Sequence, residues 1–73
     1  MKKNVLELQK CDKIKFEIGD FDIFVEMEVD KIEPTENGKV KVWGTVLKTM
    51  ITICKVGDYD YIEFPKMQMI ETI

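Results

Sequence analysis

With 73 residues, the chain has room for one domain and one small core. It contains no Ala, Ser, Arg or His, which excludes a Ser-His triad, a Cys-His pair, the usual neutral-pH acid/base and the best bidentate reader of phosphate and guanine. The net charge of −3 provides no broad attraction to nucleic acid or to an anionic membrane, and no apolar run is long enough to cross a bilayer.

Val, Ile and Thr supply 21 of the 73 residues, and with no Ala present the composition favours strands over long helices. The chain opens with Met1-Lys2-Lys3-Asn4 and then polar sequence, not an apolar signal core, which points to the cytoplasm. Asn4 to Lys10 reads as the start of a short helix, with Asn4 as its cap and Glu7 three residues on. Cys11 and Cys54 lack CxxC spacing and read as two free thiols.

From residue 12 onward, β-forming runs alternate with turn dipeptides. Strands are expected over 12–18, 21–33, 39–47, 50–56 and 59–64, punctuated by Gly19-Asp20, Asn37-Gly38 and Gly57-Asp58. Two-residue turns at these sites pair Phe16 with Ile23, Ile14 with Val25, Lys13 with Glu26, Ile32 with Trp43, Val29 with Val46, Ile53 with Ile62 and Ile51 with Phe64. The turns agree on one apolar inner face: Ile14, Phe16, Ile18, Phe21, Ile23, Val25, Met27, Val29, Val40, Val42, Val46, Ile51, Ile53, Ile62 and Phe64. The pairs of Lys13 with Glu26 and of Ile32 with Trp43 lie on the other face. A one-residue slip would turn every side chain to the wrong side, so the agreement constrains the fold. An alternative joins the third and fourth strands into one long strand bent at Gly44. Pro65 to Ile73 reads as a helix or as a last strand.

The fold expected is all-β: a five-stranded antiparallel meander over residues 1–73, curled into a small SH3-like barrel or half-barrel, with short apolar terminal segments docked on it. An OB-fold is disfavoured, since no room remains for a helix between its third and fourth strands.

The outer face of this sheet is unusual. It presents Phe24, Ile32, Trp43, Leu47, Met50, Cys54, Val56, Tyr59 and Tyr61, where an antiparallel sheet commonly turns polar residues to water. Either the terminal segments fold over this patch, or it serves as a contact surface for a protein partner or a second copy. The partner-binding candidates are Phe24, Ile32, Trp43, Leu47, Tyr59 and Tyr61. A second reading uses the same aromatics to stack single-stranded nucleic acid, with Lys15, Lys39, Lys41, Lys48 and Lys55 on the phosphates; the missing Arg and the negative charge count against it. A third takes Asp20, Asp22, Glu26, Glu28, Asp30, Glu33 and Glu36 as the acidic row of a phage- or mobile-element-encoded inhibitor; a solvated face explains them as well.

The echo Gly19-Asp20-Phe21-Asp22 and Gly57-Asp58-Tyr59-Asp60 places four carboxylates beside turns. Gly-Asp turn chemistry accounts for it without a metal, and the spacing is not that of an EF-hand. No catalytic constellation, cofactor, metal or small-molecule substrate is expected. The reading is of a small non-enzymatic interaction module.

Overall fold

The alternating pattern of the central sequence folds as strands because each β-branched residue buries one face while its neighbours turn outward. The structure, a computed structural model, describes residues 1–18, 23–49 and 55–73. Its strands are β1 (Lys2–Asn4), β2 (Lys13–Ile18), β3 (Ile23–Pro34), β4 (Lys39–Thr49), β5 (Tyr59–Pro65) and β6 (Met69–Thr72), and a 3₁₀ turn at Val5–Glu7 follows β1. They form one antiparallel sheet in the order β1-β6-β2-β3-β4-β5, open among the described residues.

The expected five-strand meander is therefore corrected. β2 to β5 run as a meander, but β5 pairs directly with β4, with Val42 opposite Ile62 and Val40 opposite Phe64. A strand over 50–56 does not lie between them. Residues 50–54, with Ile51 and Ile53, fall outside the described residues, and Val56 sits in a turn. That turn is closed by Asp58 N–H to Lys55 O at 3.0 Å, with Gly57 at φ 93° in its third position. Its centre is Val56-Gly57, one residue earlier than the sequence reading placed it.

The chain ends add the remaining strands. Asn4 does cap a turn, its side-chain oxygen accepting from Leu6 N–H at 3.0 Å, but the helix is only three residues of 3₁₀. Of the two readings of the C-terminus, the strand holds: β6 pairs with β1 on one side and with Ile14 and Lys15 of β2 on the other.

The hairpin registers also shift. In the first, Phe16 lies opposite Val25, Ile14 opposite Met27 and Lys13 opposite Glu28, two residues from the expected pairing. A two-residue shift preserves which face each side chain takes, so the inner face survives. The tip, Gly19 to Asp22, is outside the described residues.

In the second hairpin, Thr35 N–H donates to Lys39 O, leaving Glu36-Asn37-Gly38 as a three-residue loop. Gly38 has φ 74° and Asn37 does not share a positive φ, so this is not the expected two-residue turn at Asn37-Gly38. The odd loop length puts Lys31 opposite Trp43 and Ile32 opposite Val42. A register break at Asp30 then returns Val29 to the inner face, opposite Gly44, and a second break leaves Leu47 without an opposing residue on β3. Ile32 is thereby corrected: it packs against the core and not beside Trp43 on the outer face.

The core comprises Ile14, Phe16, Val25, Met27, Val29, Val40, Val42, Val46 and Phe64 from the sheet. Val5, Leu8 and Ile70 from the terminal segments complete it. Phe16 of β2 meets Phe64 of β5 edge-on at 5.5 Å, although two strands separate them in the sheet, so the sheet curls about its inner face. Each such fully buried aliphatic or aromatic side chain contributes about 1.5–3 kcal/mol of transfer free energy. The terminal segments bury Val5, Leu8 and Ile70 on this inner side, while Met1, Leu6, Met67, Met69 and Ile73 stay exposed.

Candidate functional site

On the outer face, β4 and β5 bring three rings together. Trp43 lies directly opposite Tyr61, while Tyr59 is opposite Thr45, one outward-facing position along. The Trp43 and Tyr61 rings are 4.8 Å apart and tilted by 45°, and Trp43 and Tyr59 stack at 6.0 Å with 23° between their planes. Tyr59 is 52% exposed and Tyr61 41%, so the cluster faces solvent. Trp43 is half-buried beneath them, and its Nε1 is buried with no hydrogen-bond acceptor among the described residues.

Charged side chains frame the rings. Lys31 Nζ sits 5.5 Å from the Trp43 ring centre and Lys41 Nζ 4.7 Å from that of Tyr61, both at cation–π range. The Tyr59 hydroxyl donates to Asp30 Oδ2 at 2.6 Å, and Lys10 reaches the same carboxylate at 3.9 Å. The hydrogen bond to Asp30 raises the Tyr59 pKa above its ordinary 10.0, because it holds the phenol in its protonated, donating form. Asp30 is therefore both the bulge that resets the register and the anchor of the outermost ring.

The remaining candidates do not join this cluster. Ile32 turns inward, as above. Leu47 is 37% exposed at its own bulge, four residues from Trp43. Phe24 is opposite Glu17, seven residues along β3 from Lys31 or roughly 23 Å at the rise of an extended chain, and Lys15 Nζ covers its ring at 4.4 Å. Met50 and Cys54 are outside the described residues. Lys31 and Asp30, which the sequence reading left out of the site, belong to it. Their signal is the polar pair Asp30-Lys31, which interrupts the alternation between Val29 and Ile32.

A second feature is a cleft of about 520 Å³ where β6 parts from β2 beyond Lys15. Phe16, Phe64 and Ile70 of the core form its floor, and Lys15, Glu17 and Glu71 stand at its mouth. The lining carries no nucleophile paired with a base, and its charges are of both signs.

The acidic echo is engaged locally where it is described. Asp58 Oδ2 accepts from Lys55 N–H at 2.9 Å, and Asp60 Oδ1 accepts from Tyr61 N–H at 2.7 Å. Among the described residues no group of three metal-ligating side chains converges. Cys11 is free and exposed, with φ 76°, in the turn before β2. Among the described residues no helix is long and apolar enough to cross a membrane. The chain matches no known protein family, no curated protein and no solved structure among those compared with it.

Proposed function

We propose that this protein is a small non-enzymatic interaction module that engages a protein partner through the Trp43–Tyr59–Tyr61 cluster. The observation that carries the reading is the division of labour between the two faces of the sheet. The terminal segments bury Val5, Leu8 and Ile70 on the inner side, and the three rings remain on the outer side with both tyrosines well exposed. Rigid aromatic residues with one polar edge bind proteins at low entropic cost, and Trp and Tyr dominate the energetics of such contacts.

The strand order β6-β2-β3-β4-β5, with Lys66 to Gln68 joining β5 to β6 and Phe16 against Phe64, supports an SH3-like half-barrel as the scaffold. The cytoplasm is the compartment that suits a free, exposed Cys11.

A base-stacking platform is less well supported. The rings stack on one another, and Lys31 and Lys41 lie over two of them, so ring faces that bases would need are already engaged. Of the five lysines assigned to phosphates, Lys15 covers Phe24 and Lys48 approaches Glu26 at 4.0 Å.

The test is affinity capture from the source cells with the wild-type chain and with Tyr59→Ser/Tyr61→Ser, both checked for folding by circular dichroism. A partner retained by the wild type and lost by the folded variant supports the reading. A partner retained equally by both contradicts it.

A further inference from the structure

The two free edges of the sheet carry opposite charge in matching positions, and we propose that copies of this chain associate head to tail by pairing β5 of one copy with β1 of the next. Among the described residues, β1 has only β6 as a strand partner and β5 only β4. Free edges present a row of unpaired main-chain groups to an incoming strand.

The phase of those groups follows from the hydrogen bonds already made. Thr72 N–H donates to Met1 O, and Val5 N–H donates to Gln68 O, so the odd residues of β1 bond inward to β6. The N–H and C=O of Lys2 therefore point off the sheet. On β5, Val46 N–H donates to Asp58 O, so even-numbered residues bond to β4 and the main-chain groups of Tyr61 and Glu63 point outward. Tyr61 N–H is held meanwhile by the Asp60 carboxylate, which an incoming strand would displace.

The side chains select one register. Across the outer face, Lys2, Glu71, Lys15, Glu26 and Lys48 lie in one row, each opposite the next on the neighbouring strand. The signs alternate from β1 to β4, and the row ends in a cation at the β1 edge. At the other edge, Glu33, Lys41 and Glu63 form a second alternating row that ends in an anion. Placing Glu63 of one copy opposite Lys2 of the next extends the alternation by one strand. It also makes the two residues a hydrogen-bonded antiparallel pair, since both present their main-chain groups to that edge. The contact is heterologous, so it propagates into a ring or a filament and does not stop at a two-fold dimer.

The test is the molar mass of the purified full chain by light scattering across increasing concentration at low salt. Wild-type mass is expected to rise with concentration. Lys2→Glu and Glu63→Lys, each placing like charges face to face, should each weaken association by roughly tenfold, and the chain carrying both changes should recover it. Lys2→Gln and Glu63→Gln give the same direction with a smaller effect if a reversal disturbs folding. Trp43→Lys should leave this association in place. A wild-type chain that stays monomeric throughout overturns the proposal, as do single reversals without effect or a double reversal without rescue. Association lost in Trp43→Lys but kept in both charge reversals would assign it to the aromatic face instead.

Discussion

Val29 of β3 lies directly opposite Gly44 of β4, at the point where Asp30 is squeezed out of the ladder. The two strands approach so closely that a Cβ on Gly44 would collide with the carbonyl oxygen of Glu28 and crowd the Met27 side chain. The glycine is the condition for the bulge, and the bulge puts Val29 and Ile32 on the same inner side while leaving Trp43 outside. Gly44→Ala should therefore destabilise the domain by about 2–3 kcal/mol, since the obstruction is backbone and cannot rotate away. Chemical denaturation midpoints would show it; an unchanged midpoint would mean that the strands separate at little cost.

The second hairpin depends on a different glycine for a different reason. Gly38 has open space around it, but its φ of 74° is one that β-branched side chains resist. Gly38→Val should cost about 1–2 kcal/mol through backbone strain alone. Gly38→Asn should recover much of that loss, because Asn tolerates the left-handed region, and thermal melting of the pair separates strain from lost packing.

Asp12 ties the N-terminal segment to the sheet. Its Oδ2 accepts from Gln9 N–H at 2.9 Å and from Lys3 Nζ at 3.2 Å. The Gln9 amide chiefly, with Lys3, holds the carboxyl below its ordinary value of 3.8, against a smaller opposing effect of burial. A group whose folded pKa is depressed stabilises the fold above its unfolded value and loses that contribution as pH falls through the folded one. Asp12→Asn should thus be less stable than wild type near neutrality, with the gap closing as pH drops below 3.8. A gap that stays constant with pH would show that the carboxylate charge plays no part.

The Tyr59 hydroxyl and Asp30 are coupled in the opposite sense. Asp30 raises the Tyr59 pKa, so stability from this bond is present below the ordinary tyrosine value and lost as pH rises through the raised one. Asp30→Asn should shift one of the two tyrosine transitions to lower pH in an ultraviolet titration. Two unshifted transitions would mean that the bond does not persist in solution.

Much of the inner face was legible from alternation. Ile14, Phe16, Val25, Met27, Val29, Val40, Val42, Val46 and Phe64 all lie where parity puts them, and the two-residue shift in the first hairpin could not disturb that. The pairings were less legible, because register depends on loop length, and Asn37-Gly38 is compatible with both a two-residue and a three-residue loop. The bulges left fainter marks. Asp30-Lys31 breaks the alternation before Ile32, and Gly44 signals a close approach, but neither says alone on which strand the extra residue falls. The direct pairing of β5 with β4 was not legible, because Ile51 and Ile53 alternate in the sequence and suggested a strand between the two. Of the site, Trp43, Tyr59 and Tyr61 followed from parity. The separation of Phe24 and the inward turn of Ile32 followed only from register.

The central claim is that the outer rings serve contact with a partner and are not a second core. Trp43 decides it, since its indole sits at the centre of the cluster with Nε1 unpaired among the described residues. Trp43→Phe, which removes an unpaired buried donor, should change stability by less than about 1 kcal/mol. The decisive measurement is the unfolding of Trp43→Lys alongside its capture of the partner. The account expects a cooperative transition close to that of the wild type and loss of the partner, because a lysine here can reach water past exposed tyrosines. A Trp43→Lys chain that is unfolded at every concentration would contradict it, and would make Trp43 a buried structural residue of the outer face.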